Sequence, residues 1–189
     1  MKKKNKKGHK PSSKRVVKKS AGKLWAFKDF LSMKEMHREE LDALFKLAEK
    51  MKKAPEAFYG KLRGRSLVML FQKPSMRTRI SFVVGIQEMG GCAVYMPPQE
   101  HPLGERESLK DIARALSRYC DAAVIRTYAH SDIEDFARTA TIPVINGLSD
   151  AYHPCQTLAD LFTVREKFRT LEKINIAYIG DGNNVLNSL

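Results

Sequence analysis

Four short polar groups carry the residue types that chemistry on a small anion requires. The first is Ser75-Met76-Arg77-Thr78-Arg79, which follows Lys73-Pro74. Pro74 biases Lys73 away from the α region, and Ser75 is a good N-cap, so a helix is expected to open at about Met76. A helix start offers unpaired N–H groups and a partial positive charge. With Arg77, Arg79 and two hydroxyls beside it, that turn can hold a phosphate. The second group is Arg126-Thr127, the third His153-Pro154-Cys155-Gln156, and the fourth Gly180-Asp181-Gly182-Asn183-Asn184. Each has a plainer alternative. The turn at Ser75 could be a capped helix with solvated arginines, Arg126 a rim salt-bridge partner, and His153 a helix-cap or core histidine. Gly180-x-Gly182-x-x-Val185 alone is a weak echo of a dinucleotide loop.

What gives these groups weight is the elements that must carry them. Ser66–Phe71 is an apolar run of strand length, and Ile80, Phe82, Val83, Ile86 and Met89 then recur at helical spacing. Gly90-Gly91 ends that helix, and 93–96 reads as a second strand. Ser108 caps a helix carrying Leu109, Ile112, Ala113, Leu116 and Tyr119. A third strand spans 122–126, Ser131 or Asp132 caps a short helix, and a fourth strand spans 142–146. A helix over 153–169 and a strand over 174–179 complete the pattern. Ahead of these, Ser32 with Glu35 forms a capping box for a helix running to about Lys52. Alternating strands and helices predict an α/β fold, a parallel sheet with helices on both faces. All four polar groups then fall at the carboxyl ends of strands or the helix starts after them, where such sheets bind ligands.

Composition narrows the setting. The 189 residues suffice for one domain or slightly more. The net charge of +13 is concentrated in residues 1–19, which hold ten Lys/Arg and no acid; the remainder has 24 basic and 21 acidic residues. Residues 1–22 read as a disordered basic tail. Residues 1–19 could touch nucleic acid by nonspecific charge, but no aromatic residue interleaves before Trp25, so no base-stacking platform is suggested. Cys92, Cys120 and Cys155 form no CxxC pair, which argues for a reducing, cytoplasmic setting and against a zinc site. The apolar runs are far shorter than the ~20 residues that span a bilayer.

Lys-Pro-Ser-Met-Arg-Thr-Arg, Ile-Arg-Thr, Asn-Gly-Leu-Ser-Asp-Ala-Tyr-His-Pro-Cys-Gln-x-Leu-Ala-Asp and Ile-Gly-Asp-Gly-Asn-Asn-Val resemble the ornithine carbamoyltransferases in order and spacing over about residues 24–189. Aspartate carbamoyltransferase is a similar sibling that shares the Ser-x-Arg-Thr-Arg turn. The resemblance implies a carbamoyl-phosphate-binding domain over 23–170, followed by the first strand and turn of an ornithine-binding domain over 171–189. It implies carbamoyl phosphate held by Ser75, Met76, Arg77 and Thr78. Arg126, His153, Pro154, Cys155 and Gln156 would surround the carbamoyl end, and Asn184 would meet the amino-acid end of L-ornithine. Arg77, Thr78, Arg126 and His153 carry the catalytic roles in this reading. Arg77 and the helix start suit a dianionic phosphate. Thr78, Arg126 and His153 can donate to a carbonyl oxygen that is becoming an oxyanion. No metal or organic cofactor is implied, no membrane partner is expected, and a homotrimer is.

Three departures qualify this. Met76 stands where the family usually has Thr, which keeps a backbone N–H and loses a hydroxyl. Pro102 stands where the family has a glutamine that contacts carbamoyl phosphate, and that role is not carried over. The sequence stops at Leu189, so this length is expected to bind carbamoyl phosphate weakly and to turn over poorly or not at all. Rival readings are carbamoyl transfer to an acylated ornithine or another amine, and a noncatalytic anion- or nucleic-acid-binding module driven by the tail.

Overall fold

Strand β1 (Ser66–Phe71) is buried from Leu67 onward and lies at the centre of the sheet. The structure, a computed structural model, describes residues 28–97, 99 and 107–189. The basic tail and Pro102 therefore lie outside the described residues. Helix α1 (Arg38–Lys53) precedes β1, and helix α2 (Met76–Glu88) leads from it to β2 (Cys92–Met96). The chain continues through α3 (Leu109–Tyr119), β3 (Ala122–Arg126), α4 (His130–Thr139), β4 (Val144–Leu148) and α5 (Pro154–Phe168). Among the described residues the four strands form one parallel sheet in the order β2-β1-β3-β4.

That order explains where the helices lie. The chain steps outward from β1 to β2, then returns across β1 to β3. Right-handed crossovers must put the helices of opposite steps on opposite faces. Accordingly Ile112, Ala113 and Leu116 of α3 and Ile133 and Phe136 of α4 pack with Val68, Leu70, Ala123, Ile125 and Val144. Phe82, Val83 and Ile86 of α2 pack on the other face with Leu67, Met69, Phe71 and Val124. The alternation of β1 between the two clusters is the period of two that a pleated strand requires. Burying Phe71, Phe136 and their neighbours at about 25 cal/mol per Å² of apolar area is the main force holding the layers together. Helix α5 is fastened to α1 by Phe45 against Phe162 (centroids 5.2 Å apart) and by Arg165, which reaches Asp42 at 3.1 Å and Glu49 at 3.3 Å.

Several local expectations are corrected. Ser32 does cap a turn, accepting from the Lys34 N–H, but the turn is a 3₁₀ piece, Met33–Glu35, and extended Met36 ends it. The capping carboxylate moves one turn on: Glu40 accepts the His37 N–H at 2.9 Å, and α1 starts at Arg38. Helix α4 begins at His130 with Ala129 at the N-cap, not at Ser131 or Asp132. Strand β4 starts at Val144 because Pro143 has no N–H to contribute to a ladder, and it runs on through Gly147. Residues 174–179 form no strand; Ile176 and Ile179 are exposed, with no neighbouring strand to pair with. The outer edge of β4 is instead met by Phe30, whose N–H donates to Val144 O and whose C=O accepts from Asn146 N, both at 2.8 Å. No helix among the described residues is long and apolar enough to cross a membrane.

Candidate active site

The strand order reverses between β1 and β3, so the connections leaving their carboxyl ends diverge and open a crevice. The Ser75 turn leaves β1 there, and Arg126 is the last residue of β3. The two are stitched together: the Gln72 N–H donates to the Arg126 carbonyl at 2.7 Å, and Lys73 Nζ lies 4.2 Å from the centre of the Tyr128 ring. Ser75 occupies the N-cap position of α2 in extended conformation, yet its side chain makes no capping bond. Its hydroxyl and the first N–H groups of α2 are therefore not spent on each other. Arg77 points outward and is exposed, Thr78 is half-buried, and Met76 is 71% exposed. Arg79 departs from the expected cluster: its guanidinium stacks on Tyr95 of β2 at 3.9 Å.

Arg126 is half-buried, and its Nε has neither solvent nor a protein partner. Burial lowers the guanidinium below its usual value, although an arginine stays charged. His153 stands just before α5 and its Nδ1 is likewise buried without a protein partner. Burial, and then the positive charge of Arg126, hold its imidazole below the ordinary histidine range; Asp160 opposes weakly. The ring is thus neutral at pH 7 and sits within the field of Arg126. Each side chain thus holds a buried polar nitrogen without a protein partner, which native structures seldom leave unmatched.

The loop that delivers His153 is built from Ser149, Asp150, Ala151 and Tyr152. The Thr127 N–H donates to Leu148 O at 3.1 Å and the Asp150 N–H to Tyr128 O at 2.8 Å, which joins this loop to the Arg126 turn. Segment 183–189 closes over it from the other side. Asn184 Nδ2 donates to Ser149 O at 2.6 Å, Asn187 Nδ2 to Ala151 O at 3.1 Å, and the His153 N–H to Ser188 Oγ at 2.8 Å.

Ser75, Met76, Arg77, Thr78, Arg126 and His153 therefore all stand at the carboxyl end of the sheet. The remaining expected residues are used differently. Pro154 is buried as the first residue of α5, where its missing N–H costs nothing. The Cys155 residue keeps some exposure, but its thiol is buried against the sheet, donates to Asn146 O at 3.5 Å, and is pushed up to about 12. Gln156 is exposed with its amide committed to Asp160 at 2.9 Å. The Asn184 amide nitrogen is committed to Ser149 as described. Sequence reasoning missed Asn146, fully buried with an unpartnered Oδ1, and Ser188. An asparagine inside an apolar strand could have signalled the first; nothing local signals the second. An apolar cavity of about 540 Å³ between α2 and the sheet, lined by Leu62, Phe82, Ile86 and Ala122, lies at the opposite ends of the strands from this chemistry.

Residues 28–166 match the family described as aspartate/ornithine carbamoyltransferase, carbamoyl-P binding domain. The chain belongs to that family. An ornithine carbamoyltransferase of Shewanella oneidensis is 51% identical over 162 residues, covering 86% of this chain and 54% of that protein. One from Methanoculleus marisnigri is 48% identical over 163 residues, 85% of this chain and 53% of that protein. Among solved structures, ornithine carbamoyltransferase from Pyrococcus furiosus superposes with a TM-score of 0.83 at 45% identity, covering 85% of this chain and 52% of that one. The enzyme from Thermus thermophilus gives 0.80 at 43%, covering 85% and 56%. The chain thus spans about half the length of the ornithine carbamoyltransferases it matches. The parallel sheet with helices on both faces is the fold those structures share with it.

Proposed function

We propose that this chain is the carbamoyl-phosphate-binding half of an ornithine carbamoyltransferase, acting in arginine metabolism. What supports the reading is that a helix start bearing Arg77 and the half-buried Arg126 flank the switch point of the sheet, with His153 after the next strand and within the electrostatic influence of Arg126. The Ser75, Met76, Arg77 and Thr78 N–H groups and the Arg77 guanidinium receive the phosphate of carbamoyl phosphate. Thr78 Oγ1, Arg126 and neutral His153 donate toward the carbamoyl oxygen, whose charge grows as the carbonyl is attacked. The δ-amine of L-ornithine, arriving unprotonated, forms the new C–N bond. Collapse of the tetrahedral species breaks the C–O bond to phosphate, and the amine proton leaves, giving L-citrulline and phosphate.

Gln156 and Asn184 enter this reading only if their present partners release them: Gln156 to accept from the carbamoyl NH₂, Asn184 to meet the amino-acid end of ornithine. Residues 1–189 alone are accordingly expected to bind carbamoyl phosphate and to turn over poorly or not at all, since positioning both reactants is where much of the rate lies. An exposed apolar stripe on α2 (Met76, Ile80, Val84) supports self-association, for which the expected state is a homotrimer in the cytoplasm.

Calorimetric titration of the purified chain with carbamoyl phosphate tests the core of the proposal. Saturable binding displaced by inorganic phosphate is expected, and no binding at millimolar ligand overturns it. The acceptor is tested on a chain of the relatives' full length, by comparing citrulline formation from ornithine with carbamoylation of N-acetylornithine and putrescine.

A further inference from the structure

His130 lies four residues beyond Arg126, at the first position of α4, and touches the His153 loop through three different groups. Its backbone N–H donates to Asp150 Oδ1 at 2.9 Å. Its ring Nδ1 lies 2.9 Å from Ser149 Oγ. The ring also stands edge-on to Tyr152, the residue preceding His153, with centroids 4.9 Å apart and planes at 80°. We propose that His130 is a positioning residue that locks the His153 loop onto the Arg126 turn, with its neutral ring as the working form. The inference rests on the role given above to His153, and assigns His130 a function the chemistry itself does not require.

The hydrogen-bond count fixes how the lock works. Ser149 is fully buried, and its Oγ accepts the Tyr152 N–H at 3.1 Å. A hydroxyl has one proton to give. Nδ1 at 2.9 Å is a far better acceptor position than Tyr152 O at 3.4 Å. Ser149 therefore donates to Nδ1, and the ring proton sits on Nε2, 3.8 Å from Glu134 Oε1; this tautomer is assigned from the network. The loop is anchored at both of its ends, at Ser149 and at Tyr152, by one imidazole.

The charged groups facing that imidazole come from three elements. Glu134 from α4 and Asp150 from the loop favour the protonated ring. Lys34, from the 3₁₀ turn that also donates to the Tyr152 hydroxyl at 2.5 Å, disfavours it, and burial disfavours it most. A second ring proton on Nδ1 would face the Ser149 hydroxyl, which would have to turn its own proton to the poorer acceptor. Protonation of His130 on acidification thus loosens the loop, in addition to the titration of His153 itself.

The test follows the ring resonances of His153 by NMR in the 189-residue chain, with and without carbamoyl phosphate, in wild type, His130→Ala, His130→Asn and Ser149→Ala. The asparagine Oδ1 can stand where Nδ1 stands and accept from Ser149 without titrating. In His130→Ala the His153 midpoint is expected to rise toward the ordinary value, and carbamoyl phosphate affinity to fall about tenfold, the equivalent of one lost buried hydrogen bond. Ser149→Ala reproduces both effects. His130→Asn restores both. An unchanged His153 midpoint in folded His130→Ala and Ser149→Ala overturns the proposal. So does failure of His130→Asn, still folded by its melting curve, to restore it. If wild type binds no carbamoyl phosphate, the functional reading fails by itself, while the His153 resonances still decide the role of His130.

Discussion

Ser188 Oγ accepts the backbone N–H of His153 at 2.8 Å, while its own hydroxyl proton goes to Asn184 O at 2.8 Å. Two residues 35 apart in sequence thereby fix the backbone that delivers the histidine. The serine is 5% exposed, so water does not replace it readily. Ser188→Ala is expected to destabilise the chain by about 1–3 kcal/mol, the cost of leaving a buried donor unmatched. Urea denaturation followed by circular dichroism measures this; a change within about 0.5 kcal/mol, the range of featureless surface sites, would mean that the contact is not maintained.

Arg77 is exposed at the start of α2 and holds up nothing in the fold. Arg77→Ala should therefore leave the melting temperature of the ligand-free chain nearly unchanged. It should weaken carbamoyl phosphate binding by about 10- to 100-fold, the range of one charge-assisted hydrogen bond. Thermal shift measured across a carbamoyl phosphate series separates the two effects. Arg77→Lys keeps the charge and loses the two-pronged geometry, so it should recover only part of the affinity.

Stability should fall as pH drops through the histidine range. His153 and His130 both titrate lower in the folded chain than in the unfolded one, chiefly through burial. Below about pH 6.5 the unfolded chain therefore binds protons that the folded chain refuses, and the equilibrium moves toward unfolding. The loss levels off below the folded-state values. Melting temperatures recorded between pH 8 and pH 5 check this, and His153→Asn should flatten the acid side.

Cys155 should be the least reactive thiol. Its buried sulfur is pushed up to about 12, whereas Cys92 is exposed. Because the thiolate is the reactive species, iodoacetamide at pH 8 should label Cys92 first and spare Cys155 until the chain is unfolded. Peptide mass spectrometry over a time course reads the order directly.

Gly91 joins α2 to β2 where a side chain has no room. A Cβ there would stand 2.7 Å from Ile86 Cγ1, 2.9 Å from Arg65 O and 3.1 Å from Leu62 O. Two of these atoms belong to the backbone and cannot swing away, so Gly91→Ala should cost about 1–3 kcal/mol, in the manner of an overpacked core. The neighbouring substitution Gly85→Ala, which meets nothing within 4 Å in the middle of α2, is the control and should be neutral or stabilising.

Features with local causes are legible in the amino-acid sequence, and features with distant causes are not. Strands β1 and β3 were legible because short apolar runs are bounded by polar turns, and the Ser108 cap was legible because cap and helix are adjacent; its Oγ accepts the Asp111 N–H at 3.2 Å. That Ser75, Arg126 and His153 stand at the same end of the sheet followed from strand–helix alternation alone. Residues 174–179 misled because β-branched content reports what a segment can do, and a strand exists only beside a partner. Gln156 and Asn184 stand at the expected positions in the chain, but Asp160 and the Ser149 carbonyl, which hold their amides, are visible only in three dimensions.

The pairing of Phe30 with Val144 and Asn146 has a consequence for solubility. A bare parallel strand rich in Val and Ile is a template onto which another molecule can dock its own backbone. Here a single residue, tethered by the Asp29 carboxylate on the Val144 N–H at 2.9 Å and by Lys28 Nζ on the Ala140 carbonyl at 2.6 Å, occupies that template. Trimming the protein back past Leu31 would unmask it, and the product should be a chain that keeps its core yet recruits its own kind edge to edge.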